Sequence, residues 1–276
     1  MLEKVDPVEV IMHKALSNDE IIQRAPSVLT REGMPEKTHS AYVNVSTMDV
    51  IEVMRNQGWI PTLAGQQKVR VGERSGYQKH IVKLSNPNLV IGPDHLQAII
   101  TNSHDGGSAY KFDLGIYRFV CSNGMIVGNT FESINIRHIA ISTDEVLQAS
   151  QSMLDFAPQV ANQIESMKST RMTSPMNRAF ARASMLLVYG EDGDGGRWPF
   201  DPGELLRIRH EEDRKDHSLW TSYNAVQENI MKGGIEYKTE KGRAMKTRPV
   251  KAIDRHVNLN KALHSLATEM AELAAK

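Results

Sequence analysis

The spacing of apolar residues changes twice along the chain. Residues 1–40 are polar and irregular, broken by Pro7, Pro26 and Pro35, and predict one short helix near 8–23 within an otherwise loose arm. Thr47 then reads as the N-cap of a helix over 48–57, with Val50, Ile51 and Met54 as its buried stripe and Gly58 as its stop. From Trp59 to Ile141 the period becomes two. Lys68–Val71 and His80–Leu84 alternate apolar and polar residues, as half-buried strands do. Asn86-Pro87-Asn88 reads as a turn before Leu89-Val90-Ile91. Leu96–Thr101, Tyr110–Cys121 and Ile134–Ile141 predict further strands, with Ser122-Asn123-Gly124 as a tight hairpin turn before Met125-Ile126-Val127.

After Ser142 the period becomes helical. Ser142-Thr143-Asp144-Glu145 has the form of a capping box, in which the Ser hydroxyl and the Glu carboxylate each satisfy a backbone amide of the first turn. Val146, Met153, Val160 and Met167 recur every seven residues, so a long amphipathic helix is expected, kinked at Pro158. A helix follows over Met176–Tyr189, then a flexible loop Glu191–Gly196, a helix over 203–215 or 218–232 closed by Gly233-Gly234, and a last helix after Asn258. The pattern predicts an α+β fold: a central, mostly antiparallel β-sheet of hairpins, followed by a long helix and a helical C-terminal half. Residues 1–40 form the expected arm and 41–276 a single domain, sheet-rich over 41–141 and helix-rich over 142–276.

Composition narrows the class. With 40% hydrophobic and 24% charged residues, the chain of 276 residues is long enough to bury a core, and neither disorder nor a fibrous repeat fits. Cys121 is the only cysteine, which excludes an intrachain disulfide and a cysteine-rich zinc site and suits a reducing cytoplasm. The acidic start Met1–Asp6 lacks the apolar core of a signal peptide, and no run of about 18 apolar residues exists to span a membrane. A cytoplasmic protein without a membrane partner is the expectation.

Formal net charge is zero, but the cations are grouped. Lys232, Lys238, Lys241, Arg243, Lys246, Arg248, Lys251 and Arg255 face only Glu236, Glu240 and Asp254 in the same stretch. Lys68, Arg70, Arg74, Lys79, His80 and Lys83 have Glu73 as the one acid among them. Lys and Arg hold nucleic-acid backbones and aromatic faces take unstacked bases. Lys111, Tyr117 and Arg118, the basic stretch 68–83 and the segment Lys238–Arg255 together could line such a groove. A solvated charged face is the plainer alternative. Trp220 and Tyr223 fit core packing as well as stacking.

Catalytic signatures are sparse. His104 beside Asp105 has the chemistry of a metal or acid–base pair, but adjacent strand residues point to opposite faces, so a turn is the simpler reading. Glu191–Gly196 resembles part of a calcium loop, yet the twelfth position is Pro202, which leaves a solvated loop. Nothing near Cys121 marks it as a nucleophile, and a buried small side chain is the better account. No nucleophile elbow, Walker loop or dinucleotide fingerprint is present, so no catalytic residue, cofactor or metal is assigned.

Two separated motifs carry a resemblance. One is Phe119–Gly128 (FVCSNGMIVG), preceded by NSHDGGSAYKF; the other is Ser218–Gly234 (SLWTSYNAVQENIMKGG), followed by the basic stretch and Asn258-Leu259-Asn260. Over roughly residues 40–270 the chain resembles a phage- and plasmid-encoded family catalogued as a domain of unknown function. The resemblance implies a mobile-element protein acting inside a bacterial host cell and brings no catalytic residues with it. At the level of fold, phage proteins with a curved antiparallel sheet backed by long helices are similar to single-strand annealing proteins of the RecT and Erf kind.

The leading expectation is therefore ATP-independent binding and annealing of single-stranded DNA in recombination, by a chain that forms homo-oligomers. Lys79, Lys83, Lys111, Arg118, Lys241, Arg243, Lys246 and Arg248 would contact phosphates. A counter-defence protein that binds a host protein or a nucleotide signal is the second expectation, and a metal-dependent nuclease using His104 and Asp105 the third.

Overall fold

Alternation of apolar and polar residues builds the sheet. In the computed structural model, residues 11–12, 14–35, 37–38, 45–69, 72–91, 94–118, 123–126, 134–136, 143–190 and 198–275 are described. Strands β1 (Ile60–Gln66), β2 (His80–Ile91), β3 (Asp94–Asn102), β4 (Tyr110–Arg118) and β5 (Asn123–Ile126) lie in sequence order, and β6 (Ile134–Ile136) also pairs with β4. Every pairing is antiparallel. One face carries the apolar set Val82, Leu84, Leu96, Ala98, Ile100, Phe112, Leu114 and Ile116, all buried. The other carries Lys83, Ser85, Gln97, Thr101 and Asp113, which are also buried. Gln97 Nε2 donates to Ser85 Oγ at 3.1 Å, a polar pair across β2 and β3.

Helix α1 (Asn18–Arg24) opens with a capping box formed by Ser17 and Glu20. A 3-10 turn, Pro26–Leu29, follows it. The expected arm is thus partly built into a core: Ile11, Leu16, Ile21 and Val28 are buried, and Leu16 N donates to Pro61 O on β1 at 2.8 Å. Helix α2 (Thr47–Arg55) buries Val50, Ile51 and Met54 as the spacing predicts. Its N-cap is Ser46 rather than Thr47, because the Thr47 hydroxyl is bonded to His80 Nε2 at 2.7 Å. His80 Nδ1 in turn lies 2.9 Å from Ser27 Oγ, so a buried imidazole ties the 3-10 turn, α2 and β2 together.

Three predicted sheet details differ. Lys68–Val71 is not a strand where described; β1 lies upstream, paired with β2 from Ile60–Ser85 to Gln66–His80, and Lys68 is exposed. Asn86-Pro87-Asn88 is no turn, since β2 runs through it. The β2–β3 register shifts between Ser85 and Val90, which leaves the proline, with no N–H to donate, outside the ladder. Asn123 and Gly124 pair with Arg118 and Tyr117 and so belong to β5, not to the turn before it. Cys121, Ser142 and the loop 191–196 lie outside the described residues.

Helix α3 (Thr143–Ser169) contains Pro158, and the chain divides there into two units, Met1–Ile126 with Phe131–Ala157, and Val127–Thr130 with Pro158–Lys276. In the second unit α4 (Ser174–Tyr189), α5 (Leu219–Lys232) and α6 (Ile253–Ala274) accompany the C-terminal part of α3. Two 3-10 turns, Pro202–Leu206 and Glu211–Lys215, fill the stretch that competed with 218–232 for a helix. Between α5 and α6 the basic stretch folds as a hairpin of β7 (Glu236–Lys238) and β8 (Ala244–Lys246). Among the described residues no helix is long and apolar enough to cross a membrane.

Candidate functional site

Helix α5 supports the site, and most of its buried polar side chains are bonded to neighbouring segments. Every residue from Leu219 to Met231 is buried, so each polar side chain needs a bond inside the protein. Ser222 donates to Asn177 at 2.6 Å and Gln227 to Asn260 at 2.9 Å. Glu228 accepts from Lys232 at 2.7 Å and lies 2.9 Å from His210. Asn229 Nδ2 donates to the carbonyls of Leu205 and Arg207 at 2.9 and 2.8 Å, while its oxygen accepts from Arg209 Nε at 2.7 Å. That one side chain fastens residues 205–209 to the helix.

Gly233 ends α5 at φ +64, and the chain returns beside it: Gly234 N donates to Thr247 O and Thr247 N to Ile235 O. Val250 N then donates to Met231 O. These bonds fix both legs of the β7–β8 hairpin to the end of the helix. Its tip is closed by Gly242 N donating to Thr239 O at 2.8 Å, with Gly242 at φ +75.

A cavity of about 460 Å³ lies between this hairpin, the end of α4 and the start of α6. Leu205, Ile230, Ile235 and Val250 supply apolar lining, and Tyr189, Phe200 and Tyr237 line it with rings. Phe200 stands edge-on to Tyr189 at 5.8 Å between centroids and 6.4 Å from Tyr237. Lys246, Arg248, Lys251 and Arg255 complete the lining, and none of the described residues lining it is an acid. Arg255 is braced by a 3.3 Å bond from Nη2 to Val188 O. Burial raises the Tyr189 hydroxyl pKa, Tyr237 adds to the rise, and Arg255 opposes it.

Next to this cavity the charge becomes mixed. Two adjoining hollows share Phe200 and Tyr237 but are also lined by Asp201, Glu204, Glu236 and Glu240. Arg182 lies over the Trp198 ring at 5.6 Å beside them.

The eight basic residues expected at a groove divide between the two units. Lys246 and Arg248 line the cavity, while Lys241 and Arg243 are exposed at the tip of the same hairpin. In the first unit Lys79 precedes β2 and is half-buried, as is Lys111 on β4. Arg118 ends β4 opposite Asn123. Lys83 is only 6% exposed, and burial lowers its pKa to about 8, so its ammonium lies within the first unit rather than on a surface. Tyr189, Phe200 and Tyr237 were not selected from sequence, and Lys251 and Arg255 lay within the expected basic segment Lys238–Arg255 but not among the eight phosphate contacts. The run Trp198-Pro199-Phe200 was the available signal, but local spacing does not bring it to the hairpin.

His104 and Asp105 do not converge. His104 is buried and stacks on His80 at 5.4 Å, whereas the Asp105 carboxylate accepts from Ser103 Oγ and Gly107 N within its own turn. Among the described residues no group of three or more His, Cys, Asp or Glu is placed to hold a metal ion. Trp220 and Tyr223 are buried and pack at 5.9 Å as core.

A family described as a domain of unknown function, DUF932, matches residues 36–264. The chain belongs to this family. Two proteins of Escherichia coli strain K12, UPF0380 protein YfjQ and UPF0380 protein YafZ, are each 30% identical to it over 254 residues, covering 92% of this chain and 91% of theirs. No solved structure matches the chain. Of the two motifs that carried the resemblance to a family of unknown function, the first lies largely outside the described residues, and the second is α5 with its glycine stop. That second motif supplies Asn229 and Ile230 to the cavity lining.

Proposed function

We propose that this protein binds single-stranded DNA, without ATP, through the cavity and hairpin of its second unit. The observation that carries the reading is one cavity that pairs ring surface, Phe200 and Tyr237, with Arg248, Lys251 and Arg255 and, among its described lining residues, no acid; its fourth cation, Lys246, is ion-paired with Glu236 at 2.8 Å. Rings take bases by their π faces irrespective of sequence, and Lys and Arg neutralise phosphates. Lys241 and Arg243 at the exposed hairpin tip extend the positive charge beyond the cavity. Annealing of complementary strands, in the manner of RecT and Erf proteins, is the use we propose for such binding, with homo-oligomers as the working form.

Fluorescence anisotropy of a labelled single-stranded oligonucleotide tests the reading. Binding that weakens steeply with salt is the expected result, followed by faster annealing of complementary strands when the protein is added. Absence of binding at low salt overturns it.

A further inference from the structure

The excess of positive charge around the cavity ends over a short distance, and that limits what it can hold. Arg248, Lys251 and Arg255 line a compartment whose described lining has no acid, but in the hollows that continue from Phe200 and Tyr237 the cations Arg182, Arg207, Lys238 and Lys246 are matched by Asp201, Glu204, Glu236 and Glu240. A phosphate backbone running on past the rings would meet as many carboxylates as cations and gain no net attraction there. The volume of about 460 Å³ falls in the size range of pockets for one small ligand.

We infer that the cavity receives a single nucleotide unit turned out of the bound strand, its base against Phe200 and Tyr237 and its phosphate on Arg248 and Lys251. This rests on the strand-binding reading above and adds one specific element to it: an individual nucleotide pocket in place of a continuous stacking groove. The phenolic Tyr189 lines the same cavity and can donate to a base edge. Turning out a base from a single strand costs less than from a duplex, so the pocket favours unpaired DNA.

The test uses oligonucleotides carrying one fluorescent adenine analogue at successive positions, together with competition by deoxyadenosine monophosphate. The expected result is a large fluorescence change at one position only, displacement of the oligonucleotide by millimolar monophosphate, and loss of the single-position signal in Phe200→Leu. Tyr237→Leu is a second variant, on the hairpin rather than the loop, which separates loss of stacking from a local folding defect. An oligonucleotide that binds with equal changes at every position, unaffected by the monophosphate, overturns the pocket and leaves strand binding intact. If the monophosphate binds and the oligonucleotide does not, strand binding fails and the pocket stands as a site for the free nucleotide. If neither binds, both inferences fail.

Discussion

Gly233 lies so close to Thr247 that a Cβ built on the glycine would stand 2.7 Å from the threonine carbonyl oxygen. The same Cβ would come within 2.8 Å of the carbonyl carbon of Arg248, a residue that lines the cavity. End of helix and return of hairpin are therefore pressed together at one residue without a side chain. With φ +64 and ψ −150, Gly233 also has a backbone conformation almost confined to glycine.

Gly233→Ala is expected to destabilise the protein by at least about 1–3 kcal/mol from backbone strain alone, with the clash adding to that. Gly234→Ala is the control, because it shares a positive φ of +86 but has nothing within 4 Å of its Cβ position. Urea unfolding followed by circular dichroism should show the larger midpoint shift for Gly233→Ala. Equal shifts would show that the close approach to Thr247 does not hold the hairpin.

The cations of the cavity set a salt dependence. Replacing Arg248 and Lys251 by alanine should lower the slope of log affinity against log salt by about 0.7 for each phosphate that the two side chains neutralise. The weakening should be similar for oligonucleotides of unrelated sequence, since bonds to the backbone carry no sequence information. A slope that does not change would remove these two residues from the interface.

His264 governs acid stability in the second unit. Burial lowers its pKa from 6.5 to about 4, and its Nε2 lies 3.0 Å from Gln163 Oε1. The unfolded chain takes up a proton near pH 6.5 while the folded chain does so only near 4. Stability from this group is therefore fully present above 6.5 and is lost as pH falls from 6.5 to 4, by an amount of the order of 3 kcal/mol. In His264→Gln the urea midpoint should fall less over that window than in the unsubstituted protein. Parallel pH profiles would contradict the assignment.

Lys83 acts at the opposite end of the scale. Burial lowers its pKa from 10.5 to about 8, so its charged form costs stability at and below pH 8. Between pH 8 and 10.5 the unfolded chain holds more protons, and stability rises with pH as that cost is relieved. Lys83→Met keeps the length of the side chain without its charge. Compared with this variant, the unsubstituted protein should gain stability with rising pH across that window, by the order of 3 kcal/mol. Identical pH dependence in both would show that the ammonium reaches solvent.

The period of apolar residues determined the class of the fold and the kind of most elements. Strand alternation from residue 80 to 118 and helical spacing in α2, α4 and α6 are local properties, and local geometry alone turns them into a buried face. The mistakes came where a local signal met a tertiary constraint. Thr47 has the chemistry of a cap but bonds to His80, a residue distant in sequence. Pro87 signals a turn, yet a shift in strand register removes it from the ladder and the strand continues.

The candidate site was less legible. The sequence revealed the basic stretch 232–256 and, within it, Lys246 and Arg248. It could not show that Phe200 and Tyr189 stand against Tyr237, since those rings come from three separate segments joined only by packing. Nor could it show that Lys83 is buried, because a lysine in an alternating strand looks the same whether its face is open or covered. Composition and periodicity determined which residues can form strands, helices and charged patches. The tertiary structure alone decided which of them share a cavity, because it brings distant segments together and sets the burial on which both charge and stacking depend.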